Sequence, residues 1–133
     1  VFRYAGEDAP GEMPRYELGE LPEGFVENLE SQFVGTGMTA HFYENEKGDV
    51  ILFEYIYMQQ GSLSGVNTEN AYVISVIVND CEGLLVIPKE EDSNSMLMWL
   101  DPEHDLQFTL DAPLGQEDIL HMAESVHLVE TMK

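Results

Sequence analysis

Apolar residues recur in this chain at two different spacings, and the change of spacing near the C-terminal end restricts the folds open to it more than any other feature. Up to Leu110 the spacing is two. Met38, Ala40 and Phe42 alternate with Thr39, His41 and Tyr43, which reads as a half-buried strand with one wetter face. In Val50 to Met58, Ile51, Phe53, Tyr55 and Tyr57 mark one face while Leu52 and Ile56 mark the other, so this strand is expected at the centre of a sheet. Ala71 to Val78 is another two-sided apolar run, and Leu84 to Ile87 and Met96 to Leu100 follow as strands. Leu106, Phe108 and Leu110 alternate with Gln107 and Thr109, one side for the core and one for water. Then the period changes. Ile119, Met122, Ala123 and Val126 stand at i, i+3, i+4 and i+7, the stripe of an amphipathic helix expected over Gly115 to Leu128. Gly115 is its N-cap, and Glu117 and Asp118 lie in the first turn, where carboxylates favour the positive end of the helix dipole. Strands in succession with one terminal helix predict an α+β fold, a curved antiparallel sheet of about six strands with that helix packed on it.

Turn signals separate these runs. Pro22-Glu23-Gly24 ends a short extended piece that begins at Tyr16, with Gly24 free to take a positive φ. Asn45-Glu46-Lys47-Gly48 turns the chain between the first two strands, and Asp101-Pro102-Glu103-His104 suits a type I turn. Asn79-Asp80-Cys81-Glu82-Gly83 reads as a hairpin loop with its positive φ at Gly83. Gln59 to Asn70 is a polar loop, and Lys89 to Asn94 is a charged connection. Ala5 to Pro14 is rich in Pro and Gly with almost nothing to bury, so residues 1–14 are expected to form a flexible linker and residues 15–133 a single domain.

Composition excludes some partners. Five basic residues, Arg3, Arg15, Lys47, Lys89 and Lys133, face 26 acidic ones, for a formal charge of −21. Such a potential repels phosphate backbones, so neither nucleic acid nor anionic lipid is expected as a partner. With 44% apolar residues the chain can bury a core and is not a disordered acidic tail. Cys81 is the single cysteine, so no disulfide within the chain can form. No run of about 18 apolar residues and no signal segment is present. The first residue is Val1, so the chain reads as an excised fragment with room ahead of it for a signal or a membrane anchor.

Three segments in this order, Tyr16 to Phe25, Asn79 to Gly83 after an apolar strand, and Met98-Trp99 through the helix with Ala123-Glu124-Ser125, resemble the bacterial family known as domain of unknown function 4367. The likeness spans Tyr16 to Val129. It implies an extracytoplasmic domain of a Gram-positive bacterium, often behind one membrane span and sometimes attached to an anti-sigma-type membrane protein. It carries over no catalytic residue. The loop that the family writes close to Asn-Gly-His-Glu-Gly reads Asn79-Asp80-Cys81-Glu82-Gly83 here, without the inner Gly and the His.

Zinc would draw on His41, Cys81, His104, His121 and His127, but His121 and His127 diverge on a helix and no HExxH is present, so these are expected to be surface histidines. Calcium would draw on Glu44 to Asp49 or Lys89 to Asp92, neither of which fits an EF-hand, and solvated loops are the expectation. No Gly-x-Ser-x-Gly elbow stands beside a serine nucleophile. Trp99 is expected to anchor the core beneath the helix rather than line a groove, and Tyr55, Tyr57 and Tyr72 to pack in the sheet. No catalytic, metal or cofactor residue is expected, and no cofactor. The function expected is non-catalytic binding or sensing of a protein or envelope ligand, outside the membrane, through an anchor beyond this chain. The alternatives are a carrier of an apolar ligand in the hollow of the sheet and a hydrolase.

Overall fold

The hairpin turns set the register of everything that follows, and each is built from a few named atoms. In a computed structural model that describes residues 14–35, 37–57, 71–89 and 94–129, Asn45 accepts at Oδ1 from the backbone N–H groups of Lys47 and Asp49, and Gly48 takes φ +91°. This turn joins β4 (Met38–Glu44) to β5 (Val50–Tyr57), where Tyr43 pairs with Ile51, His41 with Phe53 and Thr39 with Tyr55. Thr39, His41 and Tyr43 are 4%, 2% and 5% exposed and lie with the core, because a strand's pairing partners decide which alternate set turns inward. His41 is therefore no surface histidine. On the other face of β4, Ala40 is buried as well and Met38 and Phe42 are half-buried.

The remaining long strands are β6 (Ala71–Val78), β7 (Cys81–Pro88), β8 (Ser95–Asp101) and β9 (Leu106–Ala112). All pairings are antiparallel, in the order β4-β5-β9-β8-β7-β6, so β5, expected at the centre, is an internal strand paired with β4 and β9 but next to one side of the sheet. Beside β4 run two short pieces, β2 (Val26–Glu27) and β3 (Phe33–Val34), separated by a single 3-10 turn at Leu29–Ser31. The α+β reading stands: a mainly antiparallel sheet with one C-terminal helix packed on it.

The β6–β7 hairpin is a two-residue turn, Asn79 and Asp80, with φ values of 50° and 72°. Cys81, Glu82 and Gly83 already belong to β7. Gly83 is needed for close approach instead of a positive φ, since a Cβ there would stand 2.6 Å from the Met98 carbonyl and 2.9 Å from Trp99 Cβ. At Asp101 the expected turn forms, with His104 N donating to the Asp101 carbonyl at 3.2 Å.

One face of the sheet holds the core. Phe53, Leu85, Leu97, Leu106 and Leu110 are fully buried, and Phe108 stacks between Trp99 (5.1 Å, 15°) and Phe53 (6.1 Å, 4°). Helix α1 (Gln116–Glu124) covers this face through Ile119, Met122 and Ala123, with Trp99 anchored in the same cluster. Beside it lies a two-stranded ribbon of β1 (Arg15–Glu17) and β10 (His127–Val129). Tyr16 of β1 sets its ring edge-on to Tyr55 and Phe108, and its N–H donates to the Tyr55 hydroxyl at 3.0 Å.

The helix is shorter than its apolar stripe suggests. It stops at Glu124, because the N–H groups of Ser125 and Val126 bond back three residues to Met122 and Ala123, and His127 to Val129 then pair with β1. Leu128, assigned to the helix by spacing, is a half-exposed strand residue. The Gln59–Asn70 loop, residues 90–93 of the charged connection, and the expected linker apart from Pro14 lie outside the described residues.

Candidate binding surface

The residues singled out for chemistry do not converge. His41 Nδ1 lies 2.7 Å from Glu27 Oε2 and 3.2 Å from Gln32 Nε2, beneath the break between β2 and β3, while its Nε2 is buried with no hydrogen-bond partner. Around its ring stand Tyr43, Phe53 and Tyr55, and Glu27 is the one carboxylate in contact with it among the described residues, too few donors for a metal. Burial, and then the carboxylate of Glu27, push the Tyr43 hydroxyl well above its usual range.

Cys81 has no histidine beside it among the interactions of the described residues. Burial raises the pKa of its thiol, and Asp101, Asp80 and Glu103 raise it further. A nucleophilic cysteine needs the opposite shift, since the thiolate is the reactive form. His104 is raised by its hydrogen bond to Asp101 Oδ2 at 2.9 Å. One donor atom each from Asp101, Glu103 and His104 lies within 4.8 Å of the others on this exposed turn, a group that the sequence reading passed over as a plain turn. Three donors from one turn do not make a cation shell. In the first calcium candidate, the Asn45 amide already donates to Asp49 Oδ2 and the Asn28 amide to Glu44 Oε2. The second, Lys89 to Asp92, lies outside the described residues beyond Lys89.

A shallow crevice of about 270 Å³ opens along α1, with Leu21, Pro22, Leu114 and Met122 as its apolar lining and Glu20, Asp118 and His121 as its polar lining. His121 Nδ1 reaches Glu20 Oε1 at 3.0 Å, and both side chains are largely exposed. Ser125 holds this wall in place. Its Oγ donates to the Met122 carbonyl and accepts from the N–H groups of Gly19 and Glu20.

The other open feature is the edge strand β6. No strand pairs with its outer side among the described residues. A two-residue hairpin closes on a hydrogen-bonded pair, here Val78 and Cys81, and antiparallel pairs then alternate. The N–H and C=O groups of Ala71, Val73, Ser75 and Ile77 therefore point away from β7. Around them the side chains are uncharged and unusually open: Tyr72 is 60% exposed, Val73 44% and Ile77 58%. Tyr72 is thus not packed in the sheet as expected; Lys89 Nζ sits over its ring at 5.2 Å. The two edges differ in kind. On the β4 side the 3-10 turn interrupts the ladder, the usual means of blunting an edge, while β6 runs eight residues without a charge, a proline or a bulge. Sequence reasoning saw Ala71 to Val78 as apolar on both sides, a pattern that cannot tell a central strand from an open edge.

No helix among the described residues is long and apolar enough to cross a membrane. A family model described as "Domain of unknown function (DUF4367)" matches residues 15–126. No curated protein and no solved structure matches the chain.

Proposed function

This chain belongs to the DUF4367 family, and from that premise we propose that it is a non-catalytic binding or sensor domain, held outside a bacterial membrane by a segment beyond this chain. The open β6 edge carries the reading. It combines outward backbone groups that no strand pairs among the described residues with exposed Tyr72, Val73 and Ile77, features that suit recognition and cost solubility otherwise. Two further observations support it over its rivals. The core face of the sheet is filled by its own side chains, Phe53, Tyr55, Trp99 and Phe108 among them, which weighs against a carrier hollow. The raised pKa of the Cys81 thiol weighs against a cysteine hydrolase.

Amide-resolved NMR of the chain, titrated with extended peptides, muropeptides and fatty acids, tests the reading. Saturable shifts localised on the surface, with the added peptide or muropeptide recovered intact, are expected. Shifts with fatty acid alone would move the account to the carrier, and turnover of any added compound would move it to the hydrolase.

A further inference from the structure

Resting on the binding reading above, we propose that β6 takes up an extended, cationic segment of a partner protein as an added strand of the sheet. The backbone argument sets the mode. Outward N–H and C=O groups at alternate residues from Ala71 to Ile77 match an extended chain and nothing more compact. The side chains set the apolar part of the partner, because Val73 and Ile77 lie on the face away from α1 and offer a shallow apolar strip to alternate residues of the incoming strand.

Charge sets the rest. The β6 strand itself carries none, but its hairpin end is acidic: Asp80 stands in the turn, Glu82 pairs with Ile77, and Asp101 and Glu103 act on Cys81 from the neighbouring turn. At the other end, among the described residues, stands Lys89, engaged with the Tyr72 ring. A basic residue of the partner thus belongs at the Asp80 end. The formal charge of −21 on the chain draws such a segment in and sets two copies of the chain against each other. A second copy would bring its own Lys89 towards this acidic end if the two edges paired antiparallel, so the oligomeric state is part of the test.

The full chain is titrated with a synthetic peptide of about eight residues, alternating Val and Thr and ending in two lysines, and with the same peptide ending in two glutamates. Ser75→Pro is the blocking variant: the Ser75 N–H points outward, so the ring removes no bond to β7. The lysine-ended peptide is expected to bind at least about tenfold more tightly than the glutamate-ended one, with the difference shrinking as salt rises. Ser75→Pro should abolish binding while the melting temperature stays near that of the parent. If that variant does not fold, Ile77→Lys, at an exposed position, should repel the same peptide and lower its affinity at least about tenfold. Asp80→Asn with Glu82→Gln should weaken the lysine-ended peptide and flatten its salt response. Unchanged binding by a folded blocking variant, or equal binding of both peptides, would overturn the proposal. So would no binding of the lysine-ended peptide, or a dimer of the chain alone in sedimentation that Ser75→Pro dissolves. Shifts confined to Leu114–Met122 would overturn the edge assignment while leaving the binding reading in place.

Discussion

Ser125 does more for this fold than its side chain advertises. One hydroxyl closes the helix end at Met122 and accepts two amides from the Gly19–Glu20 segment, which ties the first and last of the three segments behind the family resemblance to each other. Replacing it with alanine removes that acceptor from both amides, although the Gly19 N–H keeps the Ser125 carbonyl, and should cost about 0.5–1.5 kcal/mol by denaturant unfolding. Glu54 makes the opposite case. It stands between Leu52 and Ile56 on the sheet face away from the helix, and burial raises its pKa above the ordinary 4.5. A carboxyl with a raised folded pKa stabilises the fold most below its unfolded value, and that contribution fades as pH climbs through the folded one. Glu54→Gln should therefore melt higher than the parent at neutral pH, with the gap closing at a pH of about 4. A gap that persists in acid would mean that the gain is packing and not protonation. At this scale the sequence was least legible. Gly83 was visible as a glycine, but the reason for it is the approach of the Met98 carbonyl across a strand pairing that no local pattern records. The burial of His41 likewise depends on a partner, Phe53, twelve residues away in the chain.

Elements were legible where their period was clean. The alternation in Leu106 to Leu110 placed a strand with one core face, as found, and the two apolar faces of β5 pointed to a central strand where the sheet has an internal one between β4 and β9. The helix was legible at its start, where Gly115 caps it and Glu117 and Asp118 fill the first turn, and misread at its end. Val126 falls on the helical stripe by spacing, yet the chain leaves the helix at Ser125 for a ribbon with β1 that depends on a segment more than a hundred residues earlier. A pair of aspartates separates the two readings. Met122→Asp buries an unpaired charge and should cost at least about 3 kcal/mol, whereas Leu128→Asp on the exposed strand should change stability by less than about 1 kcal/mol. Similar large losses at both positions, read by chemical denaturation, would restore the longer helix. The β6 strand shows the limit of the method from another side. Its apolar run is strong enough to name a strand, but edge or centre is decided by chain order, which periodicity does not contain.

The whole molecule is governed by its charge. With 26 acids and five bases, bringing the chain together concentrates like charge, so the folded state binds protons more readily than the unfolded one as pH falls from neutral. Melting temperature should rise with added salt, since exposed charges interact only within about 8 Å at a salt concentration of about 0.15 M, and should peak at a pH of about 5 at low salt. A maximum above neutral pH with no salt response would mean that the acids are held in specific sites. On the proposal above, the same charge would set copies of the domain against each other and leave the β6 edge to a partner of opposite sign. Hydrogen exchange reads that edge directly. In the free chain the amides of Tyr72, Ile74, Val76 and Val78, bonded to β7, should be protected, and those of Val73, Ser75 and Ile77 should exchange quickly. Saturating lysine-ended strand peptide should protect the second set and leave the first as it was. Protection of Val73, Ser75 and Ile77 already present in the free chain, or no change when the peptide is bound, would contradict the account.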